Sequence, residues 1–432
     1  MRFRAARLPS WLRRERAGLA LLVAMLVLRV VVVWHATWIP VSDSRDYHAL
    51  AQSLMRGEGY RQVYDGETAS FRGLTLYAYR MPGYPMFLAG LYSLFGLNPR
   101  VAYLANVFCD LVTAVGMLWL GRVLFGRTSA LLATSLFAIH VLWTANLMSE
   151  TLFTALFTIL GLLLATGMQA PTPRRALGYG ILQMFAVFVR PIGIVALPVA
   201  LYRILRVPDR TRAVVLAALI TGPTLVSAGL WSFRNWRLLG TFTLSTNFGA
   251  HNARSFGVVV NRIVLDVRSQ GGNEATIDRA LTQAIQRSVV RRPRAAWSVY
   301  SHRVVDVLRL RPDWVVDAVL LKHTFRGKNG APWVQRLYVA LHRADPATYG
   351  LACAGGLILL AQRRTLRGLW ALFAAYVVLH AAVSFSDIRF AAPLYPLMCL
   401  AAGSGLATVG TWGWAQLRRS GIRVSAPATK KS

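Results

Sequence analysis

Long apolar stretches with almost no charged side chains recur along this chain of 432 residues. A stretch of about 20 such residues crosses the hydrocarbon core of a bilayer as a helix. We place spans at residues 17–39, 100–120, 129–147, 150–169, 176–190, 191–205, 213–232, 348–361, 369–384 and 391–415. The sequence therefore predicts an all-α, polytopic integral membrane protein with about ten transmembrane helices.

The composition suits a chain that uses the bilayer as its solvent. Hydrophobic residues make up 55% and charged residues 15%, and the mean hydropathy is +0.44. Soluble domains have roughly a quarter charged residues and disordered chains are poor in apolar ones, so neither class fits. The net charge of +32 comes mainly from arginines between the apolar stretches, as expected from codon bias in a GC-rich genome. No basic stripe marks a soluble face, so we predict no nucleic-acid partner.

The positive-inside rule orients the spans. With a cytoplasmic N-terminus, the inside segments are rich in Lys and Arg and contain only two acids, Glu15 and Asp209. This predicts a multi-pass protein of the cytoplasmic (inner) membrane of the cell. Its parts are a basic cytoplasmic N-terminus at 1–16, an N-terminal membrane module at 17–232 with a first outer loop at 40–99, an extracytoplasmic loop domain at 233–347, C-terminal membrane helices at 348–415 and a cytoplasmic tail at 416–432.

The first outer loop opens with a predicted amphipathic helix. Apolar side chains recur with helical spacing over residues 47–54, and two glycines follow. We expect this helix to lie in the membrane interface, with Asp43 at its N-terminus. Two interpretations of Asp43 remain open. It is either a helix cap, with Asp46 favourably placed in the first turn, or a general base where water meets lipid.

A rigid turn follows in the same loop. The segment Arg80-Met81-Pro82-Gly83-Tyr84-Pro85 contains two prolines and a glycine. The apolar run after it, which ends at Gly96, is too short to span the bilayer. We therefore predict a second interfacial or re-entrant helix.

Charged residues inside or beside a membrane are rare and informative. Arg29 and Asp110 lie near the middle of the first two spans at similar depths, which predicts a structural ion pair. A second set of charges is predicted to share the outer membrane level: Asp43, Glu150, Arg190, Asp387 and Arg389. Such an acid–cation cluster is more specific than any of its members.

Small polar residues surround a glycine at 245–252, after the seventh span. Backbone N–H groups in such a segment can point at an anion, although an ordinary polar loop would have the same composition. The stretch from 275 to about 309 is predicted to be helical, and it offers no recognisable chemistry.

Taken in order, these motifs resemble the lipid-donor glycosyltransferases of the GT-C fold. The likeness is closest to bacterial members related to protein O-mannosyltransferases and to the aminoarabinose transferases of lipid A, and it covers about residues 17–415. It rests on Asp43…Tyr47…Ala51, Arg80-Met81-Pro82-Gly83-Tyr84-Pro85, Ser149-Glu150-Thr151, Arg190-Pro191, Arg234-Asn235, Asn247-Phe248-Gly249 and Arg389-Phe390-Ala391-Ala392-Pro393. The resemblance implies that Asp43 is the catalytic carboxylate. Ser44 stands where many members have a second acid, which leaves a divalent-metal requirement open.

The implied reaction is an inverting transfer of a sugar from a polyprenyl-phosphate donor to an acceptor hydroxyl at the outer face. Asp43 would remove the proton of the acceptor hydroxyl, and polyprenyl phosphate would leave. Candidate residues for binding substrate or donor are Tyr47, Arg80, Tyr84, Glu150, Arg190, Arg234, Asn247 and Arg389. The acceptor would be a glycan, a glycolipid or a protein.

Two other classes of protein remain as alternatives. A transporter or flippase of lipid-linked sugars would be expected to show paired repeats and broken helices near the midplane, which the sequence lacks. A non-catalytic membrane scaffold would leave the charge cluster without a purpose.

Overall fold

The computed structural model describes residues 10–36, 42–66, 68–139, 144–166, 171–308, 332–333, 336–337, 340, 355, 367–383 and 392–419. Over these residues the chain is almost entirely helical. The helices are α1 Ser10–His35, α2 Ser42–Met55, α3 Gly83–Phe95, α4 Pro99–Phe125, α5 Arg127–Ile139, α6 Glu150–Thr166, α7 Pro173–Val189, α8 Ala196–Ile204, α9 Arg210–Leu239, α10 Phe248–Asn252, α11 Val260–Ser269, α12 Glu274–Arg291, α13 Pro293–Leu308, α14 Arg367–Val383 and α15 Tyr395–Arg419. The all-α prediction is confirmed.

Short irregular elements connect some of the helices. Two strands of two residues each, β1 Gln62–Val63 and β2 Thr75–Leu76, pair antiparallel in the first loop. Turns of 3₁₀ helix occur at Ala69–Phe71, Pro191–Val195 and Ala253–Phe256.

Four of the described helices are long and apolar enough to cross a membrane. They are Glu15–His35, Pro99–Phe125, Arg210–Leu239 and Ala392–Trp412. Three further apolar helices are shorter, at Arg127–Ile139, Glu150–Thr166 and Pro191–Ile204. The polytopic architecture agrees with the sequence, and the predicted number of ten spans stays a prediction.

Helix α1 shows how the sequence divides between lipid and protein. Leu19, Val23, Val27 and Trp34 project from one side and are 50–70% exposed. Arg29 lies on the other side and is fully buried. Exposure of these apolar side chains on the protein surface costs little free energy when lipid covers them.

Small residues let the helices of the bundle approach closely. A methyl group added to Gly403 of α15 would lie 2.5 Å from the backbone nitrogen of Ala133 in α5. One added to Gly121 of α4 would lie 2.9 Å from Ala130 Cα. Without Cβ atoms at these two positions, α5 packs against both α4 and α15.

Several predicted spans differ in extent from the observed helices. The helix predicted at 129–147 ends at Ile139, and Thr144–Ser149 is non-helical because side chains of α4 bind its polar groups. The stretch predicted at 191–205 begins with a 3₁₀ helix at Pro191–Val195 and continues as α8. Helix α9 continues to Leu239, beyond the predicted end at residue 232. The span predicted at 348–361 lies outside the described residues except for Gly355.

Two short helices and a small satellite unit complete the part that positions the site. The helices predicted in the first loop are confirmed as α2 and α3. Gly57 and Gly59, which follow α2, have φ of 71° and 81°, a left-handed backbone that glycine adopts without strain. Helices α11 and α12 bury a core that includes Phe71, Leu76 and Tyr79 of the first loop. The loop regions before α3 and after α9 therefore form one packed unit.

Candidate active site

Helix α2 presents three polar side chains on one face. Asp43, Asp46 and Tyr47 follow the i, i+3, i+4 spacing that places side chains together on a helix surface. Asp43 and Asp46 are 7% and 5% exposed. Because α2 begins at Ser42, Asp43 lies in the first turn, and its carboxylate is directed at a cation.

That cation is Arg80, which joins both carboxylates. Its Nη2 donates to Asp43 Oδ1 at 2.6 Å and to Asp46 Oδ2 at 2.7 Å, and its Nε donates to Asp46 Oδ2 at 2.9 Å. The Arg80 guanidinium also faces the rings of Tyr79 and Tyr47, at 5.0 and 5.7 Å from their centroids. One buried cation thus holds two buried acids, and we call Asp43, Asp46 and Arg80 the carboxylate cluster.

The carboxylate cluster carries one more negative charge than positive charge. Burial raises the pKa of Asp46, and the neighbouring Asp43 adds to the shift although Arg80 opposes it. Burial alone would lower the pKa of Arg80, but the two carboxylates outweigh it and raise that pKa well above its ordinary value. The arrangement favours a permanently charged guanidinium and a carboxylate pair that accepts a proton readily.

A second ion pair lies beside the carboxylate cluster. Glu150, the first residue of α6, accepts from Arg190 Nη1 at 2.9 Å, and Arg190 directly follows α7. The sequence predicted that these two charges share one membrane level, and the structure pairs them directly. Burial raises the pKa of Tyr47, to which Asp43 and Glu150 also contribute, so this ring is within electrostatic reach of both ion pairs.

Tyr84 connects this region to α3. Its ring packs edge-on against Tyr47, with centroids 4.9 Å apart. The side chain is 1% exposed, and its hydroxyl has no hydrogen-bond partner among the residues that the structure describes. A buried hydroxyl without a partner costs free energy, so this position suits a hydroxyl that binds a ligand.

An apolar groove opens beside these charges. Its volume is about 450 Å³, within the range of small-ligand sites, and its walls are formed by α3, α6, α7 and α9. Lining residues include Met86, Phe87, Leu152, Leu156 and Phe188. Three of the four helices that form these walls adjoin a site residue. Glu150 begins α6, Arg190 directly follows α7, and Arg80 lies shortly before α3.

Arg234 contacts the backbone near the carboxylate cluster. Its guanidinium donates to the carbonyls of Tyr77 and Tyr60, at 2.6 and 2.7 Å, and to the Asn235 side chain. Tyr60 in turn donates to the carbonyl of Arg80 at 2.8 Å. The structure therefore places Arg234 against the backbone that carries Arg80, and the predicted phosphate contact by Arg234 remains a prediction.

Asn247 precedes α10, and its neighbours already hold an anion. The N–H of Gly249 donates to Asp278 Oδ1 at 2.6 Å, so a carboxylate of the chain occupies the predicted anion position. Burial raises the pKa of Asp278 to about 6, against the opposing effect of that hydrogen bond. The anion-binding property is thus present, but its ligand is internal.

His251 contacts the site although no sequence motif marks it as a site residue. Its Nδ1 lies 2.8 Å from the carbonyl of Asn247, and its Nε2 lies 3.4 Å from Arg80 Nη1. If Nδ1 donates to the carbonyl, Nε2 is free to accept from Arg80. No spacing in the sequence signals this contact, because it depends on how α10 packs over the first loop.

Two further predictions concern Arg389 and a metal ion. Arg389 and Asp387 lie outside the described residues. Within the described part of the chain, no group of three His, Cys, Asp or Glu side chains could hold a metal ion. Among the described residues, the two carboxylates of the cluster converge on Arg80 and do not form a metal site.

Comparison with known proteins identifies the class of fold. No protein-family model and no curated protein sequence matches this chain. Among solved structures, the archaeal oligosaccharyltransferase AglB from Archaeoglobus fulgidus, in complex with an inhibitory peptide and a dolichol-phosphate, aligns over 97% of this chain with 13% identity and a TM-score of 0.55. The chain covers 53% of AglB, so it spans about half of that protein's length.

A second similar structure is ArnT from Cupriavidus metallidurans bound to undecaprenyl phosphate. It aligns over 94% of this chain and 80% of its own, with 15% identity and a TM-score of 0.39, which is too low to support a conclusion. The alignment with AglB shows the fold. This chain has the GT-C membrane fold that its motifs suggested.

Proposed function

We propose that this protein is an inverting glycosyltransferase that moves a sugar from a polyprenyl-phosphate donor to an acceptor hydroxyl. One observation carries the proposal: the helices that line an apolar groove adjoin buried charged residues. An isoprenoid chain needs the apolar walls, and its phosphate needs cations at the groove mouth. The AglB structure contains a dolichol-phosphate, which supports this class of donor.

The site residues divide the reaction between them. Asp43 takes the proton of the acceptor hydroxyl while that oxygen attacks the anomeric carbon. The bond from the anomeric carbon to the phosphate oxygen breaks, and the polyprenyl phosphate leaves with its electron pair. Negative charge therefore moves from the Asp43 carboxylate to the departing phosphate, where preorganised cations stabilise it.

Arg80 and Arg190 are the cations proposed to hold that phosphate. Arg190 directly follows Val189 and Arg80 precedes Gly83 by three residues, and both Val189 and Gly83 line the groove. A guanidinium can bind two phosphate oxygens in parallel. Glu150 orients Arg190, since the two are paired. Arg389 and Arg234 remain candidates for the same role, and Tyr47, Tyr84 and Asn247 are proposed to contact the donor or the acceptor.

We place the reaction on the extracytoplasmic side of the cytoplasmic membrane. The distribution of Arg and Lys along the chain supports this orientation. A donor carried by a membrane lipid suits that side, because nucleotide sugars are cytoplasmic. Residues 233–347 would then shape the entry of the acceptor.

The direct test uses purified protein in proteoliposomes, a radiolabelled undecaprenyl-phosphate sugar and acceptor membranes from a deletion strain. An enzyme releases polyprenyl phosphate and labels the acceptor with inverted anomeric configuration. A flippase moves the labelled lipid across the bilayer intact, and a scaffold does neither. Either of the last two results contradicts the proposal.

The groove itself can be tested with a filling substitution. Leu156→Trp places bulk in the groove and is expected to raise the KM for the lipid donor at least about tenfold, because a well-packed apolar wall tolerates little added volume. Leu104→Trp is the matched control, since Leu104 is 53% exposed on α4 and does not line the groove. Equal KM values for both variants would remove the groove from donor binding.

A further inference from the structure

Glu274 is a buried carboxylate that the reaction above does not use. It is the first residue of α12 and is 2% exposed. Its Oε1 accepts from the backbone N–H groups of Tyr77 and Ala78, at 2.7 and 2.8 Å, and its Oε2 accepts from Thr246 Oγ1 at 3.0 Å. Burial raises its pKa although these hydrogen bonds oppose the shift, so holding the acid here costs free energy.

The backbone that Glu274 binds leads directly to Arg80. Residues 77–80 lie between β2 and α3, where no strand pairs with them. Their carbonyls are held separately: Tyr77 by Arg234, Ala78 by the N–H of Thr246 at 3.0 Å, and Arg80 by the Tyr60 hydroxyl. Glu274 supplies the acceptor for the two N–H groups that would otherwise be buried without one.

Glu274 also binds the segment on the other side of the Arg80 guanidinium. Thr246, which donates to Oε2, immediately precedes Asn247, and the carbonyl of Asn247 holds His251. His251 lies 3.4 Å from Arg80. One carboxylate therefore connects the backbone before Arg80 with the loop that contacts its side chain.

We propose that Glu274 is a positioning residue for the reaction, which fixes Arg80 relative to Asp43 and Asp46. This inference rests on the proposed glycosyl transfer. Glu274 reaches the site only through residues 77–80 and Thr246, so its effect is on geometry. A displacement of about 1 Å at a group that stabilises the transition state can lower the rate about a hundredfold.

Two substitutions separate a positioning role from a charge role. In Glu274→Gln, the amide oxygen can accept from both N–H groups of residues 77 and 78, and the amide nitrogen can donate to the Thr246 hydroxyl. Geometry is preserved without the charge. In Glu274→Ala, all three hydrogen bonds are lost.

The matched control acts on the same helix end. Asn273 caps α12 by accepting from the N–H groups of Ala275 and Thr276. Asn273→Ala weakens the helix without removing any contact to residues 77–80. Because Asn273 Nδ2 also donates to the carbonyl of Leu239 in α9, the variant reports what a less stable α12 and a weaker contact between α12 and α9 do to transfer.

The experiment measures kcat and KM for the labelled undecaprenyl-phosphate sugar, per folded protein, together with the thermal midpoint. We expect Glu274→Ala to lower kcat about ten- to a hundredfold with a smaller change in KM, and Glu274→Gln to restore kcat to within about threefold of wild type. Asn273→Ala should lower the thermal midpoint and leave kcat within the same threefold.

The outcomes that overturn the inference are distinct from failure of the proposed function. If Glu274→Ala and Asn273→Ala lose kcat equally, the role is only structural. If Glu274→Gln is as inactive as Glu274→Ala, the charge and not the positioning matters. If wild type itself transfers no sugar, the proposed function fails instead.

Discussion

Two buried arginines in this protein are held in different ways. Arg29 donates to Asp110 Oδ2 at 2.6 Å and to the carbonyls of Ala138 and Phe137, at 2.9 and 3.3 Å. That site contains one cation and one acid, and Thr144 also donates to the acid. Arg80, by contrast, serves two acids. Aromatic rings face both guanidinium groups: Phe137 faces Arg29, and Tyr47 and Tyr79 face Arg80.

The difference separates a structural charge from a reactive one. The Arg29–Asp110 pair is neutral and joins α1 to α4 and to the end of α5, so it organises the bundle. In the carboxylate cluster two acids share one cation, next to helices that line an apolar groove. With two acids on one cation, an acid can accept a proton while Arg80 stays charged, whereas the Arg29–Asp110 pair joins helices of the bundle.

The largest effect is expected from removing the cation of the cluster. Arg80→Ala removes the cation that the two buried carboxylates share, at a cost of about 3–5 kcal/mol in stability, and it abolishes transfer. Arg80→Lys restores a charge but not the fork that reaches both acids, so folding should recover more than transfer. Thermal unfolding and transfer rate are measured for both variants, and a fully active lysine variant would contradict the proposed geometry.

Breaking the other site should affect stability alone. Asp110→Ala removes the acid from buried Arg29 and is expected to cost about 3–5 kcal/mol, while the transfer rate of the protein that remains folded is unchanged. Replacing both Arg29 and Asp110 with leucine should recover most of that loss. A large fall in specific activity for the double variant would mean that the pair also takes part in the reaction.

A substitution at Gly83 tests how closely the parts of the site that carry Arg80 and Arg190 must approach. A methyl group on Gly83 would lie 2.5 Å from the backbone of Phe188, so Gly83→Ala must push α3 away from α7 and separate Arg80 from Arg190. We expect a loss of about 1–3 kcal/mol in stability and a lower transfer rate. Gly90→Ala in the same helix meets nothing within 4 Å and serves as the control, which should retain full activity.

The smallest effect is expected on the pH dependence of stability, through Asp46. Burial raises the pKa of Asp46 in the folded protein above its ordinary value of 3.8. A raised folded pKa means that the contribution of Asp46 to stability is complete below pH 3.8 and is lost as the pH rises through the folded value. Asp46→Asn should therefore flatten the pH dependence of unfolding in that window. An unchanged profile would show that Asp46 is not perturbed.

The sequence predicted features that depend on helix periodicity and depth in the membrane. Helices α2 and α3, the Arg29–Asp110 pair and the Glu150–Arg190 pair are of this kind, because a residue's position along a span fixes its level. Helix ends were less predictable. The span predicted to reach residue 147 is non-helical from Thr144 onward, because Asn106 and Asp110 of α4 bind polar groups of Thr144 and Asn146.

The contacts that build the carboxylate cluster could not be predicted in the same way. Arg80 reaches Asp43 and Asp46 across 37 and 34 residues, which include the rest of α2 and the β1–β2 pair. His251 and Glu274 reach the loop across 171 and 196 residues, through packing of α10 and α12 on the first loop. No local pattern encodes such contacts, and residues 275–309 offered no sign that α12 begins with a site-positioning acid.

The most direct test compares Asp43→Asn with Asp110→Asn at saturating labelled donor, per folded protein. If the cluster is the reaction centre, Asp43→Asn lowers the release of polyprenyl phosphate about 10²–10⁴-fold, as expected for loss of a general base, and Asp110→Asn leaves it near the wild-type rate. Equal rates for Asp43→Asn and wild type would contradict the account.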